Sequence, residues 1–146
     1  MCEEINNEKE YKLLISQGID DENQYKFFIE RLSSKKEFNW SEIKPEDYKD
    51  IEEETFRNID MTIILAGLYK KNKELIENLV EKSEENNIPF ILIKPYGMEL
   101  VPENLEKKAA ASVGWNADCI IDAIKTITGG DDWKSLCQSI ESQSKN

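Results

Sequence analysis

Short apolar runs alternate with stretches of helical periodicity along the chain. Residues 11–16 form a mostly apolar run followed by turn-forming residues, and residues 22–33 carry aromatic and aliphatic side chains three and four positions apart. A short apolar run bounded by turn signals is typical of a buried strand, whereas the three-and-four spacing is typical of a helix with one face on a core. The pattern therefore predicts a strand and then a helix after a polar lead over residues 1–10.

The clearest strand signal lies over residues 61–65, where the sequence reads Met-Thr-Ile-Ile-Leu before Ala66-Gly67. Continuous rather than alternating apolar residues indicate a parallel strand that is covered on both faces. A helix is predicted over residues 71–86, because apolar residues recur there along one side. The apolar arc of this helix holds Leu75, Ile76, Leu79, Val80 and Ser83, and the opposite side holds Glu74, Glu77 and Glu81.

The other predicted elements continue the alternation of strand and helix. They are an edge strand over 38–40, a short acidic helix over 51–58, a strand over 90–93, a helix over 103–108, a strand over 110–113 and a helix capped by Asn116 that ends at Gly129-Gly130. Alternating strands and helices build βαβ units with right-handed crossovers, which favour an open parallel sheet.

We therefore predict one α/β domain over residues 11–128, followed by a polar tail over residues 129–146 that can carry a last short helix. Its doubly wound, five-stranded parallel sheet is expected in the order 2-1-3-4-5, as in flavodoxin-like folds. In such sheets ligands bind at the carboxyl ends of the strands, near the point where the strand order reverses. The candidate ligand-binding residues at these ends are Ser16, Gln17, Gly18, Asp20, Gly67, Tyr69 and Tyr96. Asp20 or Asp21 can instead cap the helix that follows.

The charge balance excludes several classes of partner. The formal net charge is −11 and the pI is about 4.6, so the chain repels phosphate backbones and anionic lipid, and we expect neither nucleic-acid nor membrane binding. The paired lysines at 35–36, 70–71 and 107–108 are interpreted as solvated faces. No apolar run approaches the ~18 residues of a membrane span. The polar N-terminal residues do not resemble a secretory signal, which favours a cytoplasmic location.

Residue usage also limits the chemistry. Histidine is absent and three cysteines, Cys2, Cys119 and Cys137, are widely separated, so neither a disulfide framework nor a metal site is expected. Acid–base chemistry would then fall to carboxylates, Tyr or Lys. Neither a dinucleotide-binding glycine fingerprint nor a P-loop occurs. A phospho-receiver role is disfavoured, because Leu65-Ala66-Gly67 stands where an acceptor Asp would be required.

Four blocks, in order, resemble TIR-like domains of the bacterial Thoeris antiphage type, over roughly residues 11–127. The resemblance implies a flavodoxin-like signalling domain in antiviral defence. The blocks are Leu14-Ile15-Ser16-Gln17 with the aromatic helix residues Tyr25, Phe27 and Phe28; residues 63–69; residues 91–97 with Val101-Pro102; and residues 113–116 with residues 120–124.

The resemblance also implies an activity, the cleavage of NAD. Active TIR domains cleave NAD at the nicotinamide–ribose bond, and Thoeris-type domains make a cyclic ADP-ribose signal that activates a separate effector protein. The resemblance thus implies a nucleotide ligand, with NAD as a substrate rather than a bound cofactor, an effector partner and a possible homo-oligomer. The family's catalytic glutamate follows a Trp by four positions, and these two positions fall on Leu75 and Leu79.

Two readings of the activity follow from that departure. If the helix is rotated or the alignment shifts, Glu77 is the candidate catalytic carboxylate. A carboxylate beside a ribose can hold its hydroxyl groups and stabilise an oxocarbenium-like centre. Otherwise the chain is a catalytically inactive TIR-like interaction module.

Overall fold

The fold is built on five parallel strands, seen in a computed structural model that describes residues 9–16, 23–94 and 102–131. The strands are β1 (Tyr11–Ile15), β2 (Trp40–Glu42), β3 (Met61–Leu65), β4 (Phe90–Ile93) and β5 (Ala111–Val113). Their order is β2-β1-β3-β4-β5, which confirms the predicted α/β class, the parallel sheet and its topology.

Helices flank this sheet and connect its strands. They are α1 (Asn23–Ser33), α2 (Glu53–Arg57), α3 (Lys73–Glu85), α4 (Glu103–Lys108) and α5 (Ala117–Thr128), and a 3₁₀ turn over Ala66–Leu68 directly follows β3. Within the described residues no helix is long and apolar enough to span a membrane.

The centre of the sheet is fully covered, as its continuous apolar strands predict. Every residue of β3 and β4 is buried, and Leu14 of β1 pairs in register with Thr62 of β3. The buried hydroxyl of Thr62 lies 2.8 Å from that of Ser83 in α3, and the Ser83 hydroxyl also donates to the Leu79 carbonyl at 2.8 Å. The Thr62 and Ser83 hydroxyl groups are thus paired with each other or with the backbone.

The edge strand lies two residues later than predicted. Phe38, expected to begin it, is a buried residue of the turn after α1, and its ring stacks on Tyr11 with centroids 5.3 Å apart. The strand itself reads Trp-Ser-Glu, with Trp40 pairing with Tyr11 and Glu42 with Leu13. The apolar signal at Phe38 therefore reports packing against the core rather than strand pairing.

The last helix begins and ends as its sequence predicts. The Asn116 side chain accepts a hydrogen bond from the Cys119 backbone N–H at 3.1 Å. Gly129 ends the helix, and Gly130 has a φ of +95°, a conformation that favours glycine. Cys119 is buried and disulfide-bonded, so the expectation of no disulfide framework is wrong at this residue. Cysteine spacing along a chain does not report which thiols meet in the fold. The predicted tail helix lies outside the described residues.

Candidate functional site

The strand order reverses between β1 and β3, because the chain leaves β1 for β2 on one side and leaves β3 for β4 on the other. A ligand crevice is therefore expected at the carboxyl ends of these two strands. Ser16, Gly67 and Tyr69 follow those strand ends, as predicted. The predicted ligand residues Gln17, Gly18, Asp20 and Tyr96 lie outside the described residues.

Ser16 lies deep at this edge. It is 1% exposed, and its hydroxyl accepts a hydrogen bond from the Leu65 N–H at 2.9 Å. Its own N–H donates to the Ile63 carbonyl at 2.9 Å. Ser16 therefore holds the carboxyl end of β1 against that of β3, which gives its hydroxyl a structural role.

Gly67 lies directly under the side chain of Gln24, in the first turn of α1. A Cβ added at Gly67 would lie 2.2 Å from Gln24 Oε1 and 2.4 Å from its Nε2. The close approach of the carboxamide, rather than a positive φ, favours glycine here, and a Cβ would displace the end of the Gln24 side chain. Across the described part of the chain, Gln24 Oε1 is buried and has no hydrogen-bond partner. Sequence reasoning missed Gln24, because a half-buried polar residue in a first turn adds nothing to the apolar periodicity.

The predicted residues Tyr69 and Glu77 contact each other. The Tyr69 hydroxyl donates to Glu77 Oε2 at 2.7 Å, bringing a residue just past β3 onto the outer side of α3. Burial and the hydrogen bond to Glu77 raise the pKa of the Tyr69 phenol to about 12. The phenol therefore remains protonated near neutral pH and continues to donate to the carboxylate. Tyr69 is half-buried and Glu77 is exposed, so a ligand can reach this pair.

The position where the TIR-like resemblance places a catalytic glutamate lies in the core. Leu79 is 2% exposed and belongs to the buried face of α3 with Ile76 and Val80. No rotation of α3 exchanges it with Glu77. The apolar residues of α3 face the core as the sequence predicts. Glu77 lies on the opposite side of the helix, and its connection to the end of β3 is the hydrogen bond from Tyr69.

A second tyrosine–glutamate pair lies on the β2 side of the same edge. The Tyr25 hydroxyl donates to Glu42 Oε1 at 2.5 Å, and Glu42 is the last residue of β2. Burial first, and then the bond to Glu42, raise the pKa of Tyr25 well above its usual range. The Lys44 ammonium lies 5.7 Å from the centre of the Tyr25 ring. The two partners are 17 positions apart, and no local pattern in the sequence links them.

The described part of the chain holds no group of three or more side chains suited to a metal ion. No protein-family model and no curated protein matches the chain. The TIR-like resemblance thus stays a prediction from its ordered sequence blocks, alongside a fold that the structure establishes.

Proposed function

We propose that the chain is a TIR-like signalling domain of bacterial antiphage defence that binds NAD or a related nucleotide at the carboxyl edge of β1 and β3. The ordered sequence blocks and the flavodoxin-like strand order both support this assignment. In open sheets of this order, nucleotides bind at this reversal point.

One observation carries the proposal: hydrogen-bonding groups of different kinds gather where the strand order reverses. The Gln24 carboxamide covers Gly67, and two residues further the Tyr69 phenol holds the Glu77 carboxylate. A carboxamide both donates and accepts, which suits a nicotinamide or an adenine edge, and a carboxylate accepts from ribose hydroxyl groups. An apolar ligand would leave the buried Gln24 Oε1 without a hydrogen-bond partner.

The proposed reaction at this site is cleavage of the nicotinamide–ribose bond. The bonding electron pair leaves with the pyridine nitrogen, so nicotinamide departs neutral and positive charge develops on the ribose. Glu77 is the carboxylate that would stabilise this charge. Water, or a nucleophile within the same nucleotide, then bonds to the ribose carbon and loses its proton. Attack from within the nucleotide would yield the cyclic signal for a separate effector.

A second candidate, a catalytically inactive interaction module, is favoured by Leu79. This residue is buried where the related enzymes carry their glutamate. The module would self-associate or dock to a partner without consuming NAD.

The test is to incubate the purified protein with NAD and to measure free nicotinamide by chromatography. We expect release by the natural protein, and a loss of at least about tenfold in Glu77→Gln. Glu81→Gln is the matched control, because Glu81 is also exposed on α3, and it should keep full activity. Absence of nicotinamide at high enzyme concentration and long incubation would refute the catalytic form and leave the interaction module.

A further inference from the structure

A cavity of about 760 Å³ opens beside the start of α3. Its lining includes Lys49, Lys70, Lys71 and Lys73, and one carboxylate, that of Glu74. The volume lies within the range of roughly 300–1,000 Å³ that is usual for small-molecule sites. In a chain of net charge −11, four lysines lining one cavity give a local excess of positive charge.

The lysines reach the cavity from two separate segments. Lys49 belongs to the connection between β2 and α2, and Lys70, Lys71 and Lys73 lie where the chain passes from β3 into α3. Both segments follow the carboxyl ends of their strands, so the cavity lies on the same edge of the sheet as the reversal point. The sequence alone suggested a solvated face for Lys70-Lys71, because it does not show that Lys49 joins them.

Three of these lysines have no acidic partner among the residues that the structure describes. In the described ranges, the side chains of Lys49, Lys71 and Lys73 form no ion pair, whereas Lys9, Lys35, Lys94 and Lys108 each contact a carboxylate. Like charges around one cavity repel each other, and an anion in the cavity would relieve that repulsion. Because the lysines lie at several places around the lining, they suit an anion that carries more than one charged group.

We infer that this cavity binds the diphosphate of a small phosphorylated ligand. Lysine ammonium groups bind phosphate as point charges with several donors each, and they do not require a planar bidentate partner. The diphosphate assignment stands on the cavity alone. The further step, that the diphosphate belongs to the nucleotide bound at the reversal point, rests on the proposed function.

The test is calorimetric titration of the whole chain with inorganic pyrophosphate at low ionic strength. We expect binding that weakens as salt is added, and an affinity at least about tenfold lower in Lys71→Gln/Lys73→Gln. Lys12→Gln/Lys107→Gln is the matched control, because it removes the same charge from exposed lysines outside the cavity lining. Lys49→Gln tests the second segment separately and should also weaken binding.

Two results would overturn the inference: no heat of binding at millimolar pyrophosphate, or equal losses in the cavity and control variants. Arms with ADP and with NAD separate this inference from the proposed function. If pyrophosphate and ADP bind through the cavity lysines but NAD does not bind, the cavity assignment stands and the NAD proposal fails. If NAD binds with the same affinity in Lys71→Gln/Lys73→Gln as in the natural protein, the step that places the diphosphate of NAD in this cavity fails and the NAD proposal stands.

Discussion

Two tyrosine–glutamate pairs occupy the carboxyl edge of the sheet, and they differ in burial rather than in chemistry. Tyr25 donates to Glu42 at 2.5 Å where α1 covers the end of β2, and Glu42 Oε2 is buried with no hydrogen-bond partner among the described residues. Tyr69 donates to Glu77 at 2.7 Å on the outside of α3, where Glu77 is exposed.

The Tyr25–Glu42 pair is therefore structural, whereas the Tyr69–Glu77 pair, which we call the open pair, is accessible to solvent. A carboxylate that is withdrawn from water depends on its donor, so the Tyr25 phenol stabilises the fold by satisfying Glu42. A carboxylate in water needs no such donor, so the Tyr69 phenol orients Glu77 while leaving it accessible. Gln24, which covers Gly67, is the residue directly before Tyr25 in α1.

The largest loss of stability is expected when a carboxylate is introduced into the core, where no hydrogen-bond donor is placed to pair with it. Leu79→Glu should lower the free energy of unfolding by about 4 kcal/mol or more, because Leu79 is 2% exposed. Urea unfolding followed by circular dichroism measures this loss. Leu75→Glu, at a half-buried position on the same helix, should cost much less. Equal losses would contradict the assignment of Leu79 to the core.

The next effect compares the two pairs directly. Tyr25→Phe should lower the free energy of unfolding by about 1–3 kcal/mol, because it leaves Glu42 without its donor. Tyr69→Phe should change it by no more than about 0.5 kcal/mol, because Glu77 remains in water. The same urea experiment serves both variants. A larger loss in Tyr69→Phe would reverse the assignment of the structural and the open pair.

Alkaline pH should weaken both pairs. The folded protein raises the pKa of Tyr69 to about 12 and that of Tyr25 further, so the folded state holds these protons more tightly than the unfolded chain does. The stabilisation is therefore complete below pH about 10 and is lost as the pH rises through the folded-state pKa values. The stability difference between the natural protein and Tyr25→Phe should shrink above pH about 10. Unfolding curves measured over this range would contradict the account if the difference stayed constant.

A small effect on stability is also expected at Gly67. Gly67→Ala meets only the end of the flexible Gln24 side chain, so the free energy of unfolding should change by less than about 1 kcal/mol. The displaced carboxamide should nevertheless weaken NAD binding, and Gln24→Ala should weaken it to a similar degree. Affinity measured by calorimetry tests both variants. Unchanged affinity in both would remove Gln24 from the ligand site.

The strands and their order were predictable because burial on both faces leaves continuous apolar runs. Residues 61–65 and 90–93 were predicted with the bounds that the structure has, and so was the helix over 103–108. The edge strand was misplaced because its residues Trp40 to Glu42 are only half-buried and give little apolar signal. The bounds of an edge strand are determined by its pairing with one neighbouring strand, and this pairing leaves no pattern in the sequence.

The candidate site was predicted only in outline. Gly67 and Tyr69 were predicted as site residues because they directly follow a strand, and the carboxyl ends of parallel strands share one edge of the sheet. The partners of these residues were not predictable. The bond from Tyr69 to Glu77 depends on how the chain turns into α3, and the cover of Gly67 by Gln24 joins segments 43 positions apart in the chain.

The most direct test of the account is a calorimetric titration of NAD into the natural protein, Tyr69→Phe and Tyr25→Phe at neutral pH. The account predicts that the natural protein binds NAD, that Tyr69→Phe weakens binding by about tenfold through loss of the oriented carboxylate, and that Tyr25→Phe leaves the affinity unchanged. Absence of binding by the natural protein, or a greater loss in Tyr25→Phe than in Tyr69→Phe, would contradict it.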